Sequence, residues 1–131
     1  MPHTILTTPL RILGTIEAGF PSPAEEELSD TLTLDDLLIE NKEATVMLRA
    51  SGDAMIAAGI LAGDLVLVER GRTPRDGDIV MAEIDDTWTM RYFRKQGRRV
   101  YLEAANEKYP AMVPQQQLKV AAVVVAVVRK Y

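Results

Sequence analysis

Two stretches, Gly63-Asp64-Leu65-Val66-Leu67-Val68-Glu69 and Gly77-Asp78-Ile79-Val80-Met81-Ala82-Glu83, repeat one plan, a Gly-Asp turn feeding a short apolar run. Glycine supplies the backbone freedom a tight turn needs, and aspartate bonds its own backbone there. The runs that follow are too short for a helix and rich in residues that suit a pleated, half-buried surface, so each predicts a strand. The same reading extends outward. Thr45 to Ala50 predicts a strand ended by the turn Ser51-Gly52-Asp53, and Asp85-Asp86 turns into the strand Thr87 to Arg94. Gln96-Gly97 then returns Arg99 to Glu103 as a hairpin partner. Leu118 to Val128 is a last, strongly apolar strand, most simply core, with a dimer edge as the second possibility. Long helices between strands are absent, so the fold class is mainly β, of the coiled-sheet or barrel kind, with one or two short helices. One helix is predicted at Thr33 to Ile39, where Thr33 offers an N-cap and Asp35 and Asp36 suit the helix dipole. A single helical turn over Asp53 to Ala58 would have Asp53 as its cap and Gly59 as its stop.

Ahead of this domain, residues 1–29 carry Pro2, Pro9, Gly14, Gly19, Pro21 and Pro23, which break any long helix and predict an extended arm. The chain therefore reads as an arm, 1–29, and a β domain, 30–131. Its 131 residues, 47% hydrophobic and 26% charged, match one soluble globular domain. No cysteine is present, which excludes disulfides and thiolate sites and fits a reducing cytoplasm. The single histidine, His3, lies beside the N-terminus, a poor place for a catalytic triad or metal cluster, and no cofactor is expected. The net charge of -4 argues against bulk attraction to nucleic acid. Between Ala24 and Glu43 eight acids stand against Lys42 alone, an acidic segment behind the arm. The most apolar run, Val120 to Val128, falls far short of the roughly 20 residues of a spanning helix, and the N-terminal stretch lacks a secretory signal's apolar core. No membrane association is expected.

Arg49-Ala50-Ser51-Gly52-Asp53-Ala54-Met55-Ile56, with Gly59-Ile60 and Gly63-Asp64-Leu65 behind it, resembles the nucleophile box of the LexA/UmuD-type self-cleaving serine peptidases, Ser-Gly-Asp-Ser-Met. Ala54 stands where that family has its catalytic serine. The family's general base is a lysine on a strand, and Thr89-Met90-Arg91-Tyr92-Phe93 occupies that context with Arg91 at the lysine position. Gly77-Asp78-Ile79-Val80, the loop Ala105-Asn106-Glu107-Lys108-Tyr109-Pro110 and the final apolar strand extend the resemblance over most of the chain. In the arm, Ala18-Gly19-Phe20-Pro21-Ser22-Pro23-Ala24 is similar to the cleavage segment of the UmuD branch, cut before glycine. LexA-type repressors also cut before glycine but carry a helix-turn-helix domain ahead of the bond. With 18 residues ahead of Gly19, the UmuD-like reading is favoured. The resemblance implies a coiled, signal-peptidase-like β-sheet domain, a homodimer, self-cleavage stimulated by a RecA-type filament, and a translesion DNA polymerase as partner. A pseudopeptidase interaction module and a repressor core without its DNA-binding domain are the alternatives. A related leader peptidase would need a membrane anchor, which is not read here.

The family's chemistry explains what the two replacements remove. A serine hydroxyl is a weak nucleophile until a base takes its proton, and a lysine serves as that base only when burial lowers its pKa. Alanine has no oxygen to attack with, and arginine stays protonated. The backbone of Ser51, Gly52, Asp53 and Met55 could still form an oxyanion hole, but one without a nucleophile. In the arm, Gly19 leaves the bond unobstructed while Pro21 and Pro23 stiffen its downstream side, so Ala18-Gly19 is expected to dock near Ala54 and stay uncut. The remaining features have plainer readings. Arg94, Lys95, Arg98 and Arg99 form a solvated charged hairpin rather than a nucleic-acid patch, and Trp88, Met90 and Tyr92 alternate on one face as core or interface.

Overall fold

The computed structural model describes residues 7–16 and 31–131. The expected cleavage bond, Ala18-Gly19, lies outside them. The chain divides into two compact units, one up to Glu40 and one from Asn41 to Tyr131. In the first, β1 (Leu10–Arg11) pairs antiparallel with β2 (Thr31–Leu32), with Leu10 opposite Leu32. Helix α1 (Leu34–Leu38) follows, and the Thr33 hydroxyl accepts from the Asp36 N–H at 3.1 Å, the cap its sequence predicts. Because β2 pairs with β1, the segment up to Glu40 groups with the N-terminal unit, and the division falls beyond Ser29.

The second unit is one antiparallel six-stranded sheet. Its strands are β3 (Thr45–Arg49), β4 (Leu65–Arg70), β5 (Ile79–Ile84), β6 (Thr87–Gln96), β7 (Arg99–Glu103) and β8 (Leu118–Val128). They lie in the order β3-β4-β8-β5-β6-β7. Strand β5 shows how the core is built. Ile79 and Met81 pack against one cluster, around Met55, Ile60, Val66, Val68 and Ala122. The alternate residues Val80, Ala82 and Ile84 join Phe93, Leu102 and Val123 in a second. Both faces of the central strands are therefore buried, which only a curled sheet achieves without covering helices. Two bulges supply the curl. Opposite β5, the partner of Met81 is Ala122 and that of Ala82 is Val120, so Ala121 is unpaired on that side. Opposite β4, the register skips Val125 between Leu67 and Val68. Each bulge adds local twist and flips the side-chain alternation, which is why Leu118 and Val120 share a cluster with Val123.

Strand β8 is therefore central, bonded to β4 on one side and β5 on the other. This agrees with its reading as core and not with the second possibility, a dimer edge: its Val/Ala composition answers to burial within its own sheet. Among the described residues no helix is long and apolar enough to cross a membrane.

Candidate functional site

The turn after β3 is held from three directions. Ala50 N–H donates to Asp64 O at 2.8 Å and Gly63 N–H to Ala50 O at 2.9 Å, tying the start of the turn to the Gly-Asp motif ahead of β4. Gly52 takes φ 74, a left-handed backbone that costs glycine nothing. Met55, only 3% exposed, plugs the far end of the turn into the core. One 3-10 turn, Ile56–Ala58, follows and stops at Gly59, whose φ of 82 and N–H bond to Ile56 O close it as the sequence predicts.

Asp53 does not cap that turn. Met55 occupies the cap position without a side-chain bond, and the Asp53 carboxylate faces the 105–110 loop. There it accepts from Tyr109 Oη at 2.5 Å and pairs with Lys108 Nζ at 2.6 Å. Asn106 Nδ2 donates to the Asp53 carbonyl at 2.9 Å, and Ala57 N–H to Ala105 O at 2.9 Å. Charge-assisted bonds to a lysine and a phenol outweigh a single cap to a backbone N–H. The Lys108 bond, then that of Tyr109, holds the Asp53 carboxyl below its usual range, and Asp53 in turn raises both partners. Lys108 and Tyr109 lie more than fifty residues away, and the sequence marks them only as part of a family-like loop.

Arg91 sits on β6 opposite Val80. Its Nη1 donates to the Met90 carbonyl at 2.9 Å, and its guanidinium carbon lies 5.6 Å from the centre of the Tyr109 ring. Its Nε is shut off from solvent and finds no acceptor among the described residues. Burial pulls the Arg91 pKa below its usual value, with Tyr109 opposing.

The structure brings Ala54 and Arg91 to the same cleft, of about 330 Å³, together with Ser51, Gly52 and Met55. Asp53 is turned away to its loop partners and is not part of the lining. Most of the wall is apolar, including Leu48, Val66, Val68 and Met81. Trp88 lines the cleft too and is 55% exposed, whereas Met90 and Tyr92 pack against the core. Of this stripe Met90 and Tyr92 are core, one of the two readings the sequence offers, while Trp88 is exposed and not core. Farther along the hairpin, Arg94 pairs with Glu103 at 3.5 Å and lies over the Tyr92 ring, while Lys95, Arg98 and Arg99 are exposed.

Chemically the cleft is apolar and cationic. Ser51 and Thr89 line it, and among the described residues no histidine, lysine or carboxylate does, so neither hydroxyl finds a base there to accept its proton. Among the described residues no group of acids or histidines could hold a metal ion.

Comparison with known proteins agrees with this architecture. The family described as Peptidase S24-like matches residues 11–125. Among similar proteins are LexA repressors of Clostridium kluyveri, 39% identical over 78% of this chain and 50% of the relative, and of Desulfatibacillum aliphaticivorans, 39% identical over 81% and 55%. The LexA repressor of Clostridium novyi is 32% identical over 100% of this chain and 64% of its own length. The chain thus spans about half to two thirds of these relatives. With a family match over most of the sheet and its turns, the chain belongs to the peptidase S24-like family.

Proposed function

We propose that this chain is a silenced self-cleavage domain of the LexA/UmuD type, acting in the response to DNA damage. In this reading Ala54 holds the nucleophile position, Arg91 holds the position of the lysine base, and the Ala18-Gly19 bond is presented to the cleft but not cut. The single observation that carries it is that Ala54 and Arg91, far apart in sequence, line one cleft. Neither can do its share of the chemistry. Alanine has no nucleophilic atom, and a guanidinium, even one partly desolvated, remains protonated near neutral pH. An arm that docks without reacting is a permanent pseudo-substrate. By resemblance to the UmuD branch, the protein is a cytoplasmic homodimer that meets a RecA-type filament and a translesion DNA polymerase.

Restoring the pair tests this. The double change Ala54→Ser with Arg91→Lys is expected to cut the chain between Ala18 and Gly19, read by mass spectrometry, while either change alone leaves it essentially whole. Nucleophile and base act as a unit, so restoring one leaves an unactivated hydroxyl or an idle base. A folded double variant that stays intact at every pH, or is cut elsewhere, overturns the assignment.

A second reading, the regulatory half of a LexA-like repressor, is favoured by the relatives, which are named LexA repressors and of which the chain spans 50% to 64%. An antibody against residues 41–131 decides between the two. A cellular band at 14.5 kDa supports the UmuD-like role, and a larger, DNA-binding species supports the repressor.

A further inference from the structure

The hairpin of β6 and β7 does not carry its positive charge alone. Lys95 N–H donates to Asp76 Oδ1 at 2.9 Å, Gly77 N–H to Phe93 O at 2.8 Å and Phe93 N–H to Asp78 O at 2.7 Å, so the loop ahead of β5 runs alongside the end of β6. A Cβ on Gly77 would stand 3.6 Å from Arg94 Nη1. Two segments distant in sequence, 69–78 and 92–103, therefore meet at one end of the sheet. Together they hold seven arginines and lysines against four acids, in a chain of net charge -4. The acids serve the architecture. Glu69 pairs with Arg72 at 3.4 Å and Glu103 with Arg94 at 3.5 Å, while Asp76 and Asp78 each accept from a backbone N–H, that of Lys95 and that of Arg75. Arg75, Lys95, Arg98 and Arg99 are exposed. Strand pairing also sets aromatic rings among these cations. Arg94 stands directly opposite Tyr101 and Gln96 opposite Arg99, so the four share one face, the one away from buried Phe93 and Leu102. Tyr92 lies on that face too, with the Arg94 guanidinium carbon 4.9 Å from its ring centre. Tyr101 is half-buried, with Arg94 across the ladder and Arg99 two residues back along its own strand.

We propose that this end of the sheet binds single-stranded nucleic acid, with the arginines and Lys95 along the phosphate backbone and the Tyr101 ring stacked on a base. By its sequence alone the hairpin is a solvated charged face. The fold adds a second basic segment beside it and a tyrosine between two arginines. A guanidinium meets phosphate with a planar fork, and six of the seven cations are arginine. An acidic protein would answer the charge but make no use of an aromatic ring among the cations. A duplex keeps its bases stacked on one another, whereas a single strand offers them to an aromatic side chain. None of these residues lines the cleft of Ala54 and Arg91, so the site goes beyond the function proposed above and does not depend on it.

Fluorescence anisotropy of a labelled oligothymidylate of about 20 nucleotides, titrated with the whole protein, tests this. Binding is expected in the micromolar range at low salt. It should fall with salt at a log–log slope of about -2 to -3, since each phosphate neutralised on a single strand contributes about -0.7 and roughly three or four cations are engaged. The double change Arg98→Gln with Arg99→Gln is expected to weaken binding at least about tenfold and to flatten the slope by about 1.4. Tyr101→Val is expected to weaken it about fivefold or more and leave the slope unchanged, because stacking releases no counter-ions. Lys119→Gln, exposed on β8 opposite Glu83 at the other end of β5, is expected to bind as wild type does. Circular dichroism checks the fold of each variant, and Arg75→Gln in the loop stands in if the hairpin pair does not fold. No binding at about 100 µM protein in low salt, undiminished binding without Arg98 and Arg99, an equal loss in Lys119→Gln, or unchanged binding in Tyr101→Val each overturns the inference. So does equal affinity for the same strand paired with its complement, which would make the site a duplex one, or displacement by polyglutamate charge for charge, which would point to an acidic protein.

Discussion

Asp64 is 3% exposed and the only buried charged residue among those described. Its Oδ1 accepts from Arg129 Nε at 2.7 Å and its Oδ2 from Arg129 Nη2 at 2.7 Å, while Leu61 N–H donates to Oδ2 at 2.8 Å. The Arg129 bonds, and then Leu61, lower its pKa from the usual 3.8 to about 2. For an acid whose pKa falls on folding, the stabilisation is complete above the unfolded value and is lost as pH drops through the folded one. The pair therefore contributes fully above about pH 4 and fades toward pH 2. Arg129→Gln leaves a buried carboxylate unpaired, so its thermal midpoint is expected well below wild type at pH 7. The gap narrows between pH 4 and pH 2.5 as the orphaned Asp64 takes a proton; a gap constant with pH would show that Arg129 acts by packing alone. Position 91 carries the matching prediction for the base. Burial there already disfavours positive charge on arginine. In the restored Ser-Lys double variant, cleavage is expected to rise with pH to a midpoint below the free lysine value of about 10.4. A midpoint at or above that value would mean that the lysine is solvated and is not the base.

Strands, turns and the helix cap were legible because their signals are local. The two Gly-Asp turns are the clearest case, since each aspartate accepts from the N–H three residues back, Asp64 from Leu61 and Asp78 from Arg75. Sheet order was not legible, because β8 enters between β4 and β5 through pairings that cross half the chain. The Asp53 cap failed for a related reason: a distant lysine and tyrosine outbid the local backbone. At the site, the motif context pointed to Ala54 and Arg91, but only the fold reveals that the Arg91 Nε finds no acceptor among the described residues. The Asp85-Asp86 turn makes the element scale testable, because its residues share a left-handed backbone, φ 46 and φ 67, and differ in what their side chains do. Asp85 accepts from the N–H groups of Gln115, Gln116 and Gln117, while Asp86 is exposed. Asp86→Gly relieves a left-handed cost of roughly 1–2 kcal/mol against about 0.4–1 kcal/mol of added unfolded-state entropy. A net gain of up to about 1 kcal/mol in urea unfolding is expected. Asp85→Gly removes three bonds that anchor the strand entering β8, and is expected to destabilise clearly. Equal effects from the two changes would mean that turn geometry alone matters there.

At the scale of the whole chain, every buried residue among those described lies between Met55 and Val123, all within the second unit. Among its described residues the first unit contributes a pair of two-residue strands and a five-residue helix with no buried side chain, and its Leu10, Leu13, Ile16, Leu34 and Leu37 are exposed. Isolated helices that short are unstable in water, and a lone two-stranded ribbon is marginal, so the first unit has little means of stabilising itself. The second has two apolar clusters, a sheet paired strand by strand, and the Asp64–Arg129 pair close to its C-terminal end. The unit of folding is therefore 41–131. A chain beginning at Asn41 is expected to unfold in a single cooperative step, with a thermal midpoint within about 4–8 °C of the whole protein, the shift that roughly 1 kcal/mol produces in a domain this size. Calorimetry on the two chains checks this. A larger fall in midpoint, or loss of cooperativity, would place part of the stabilising core in residues 1–40, against the division of the fold.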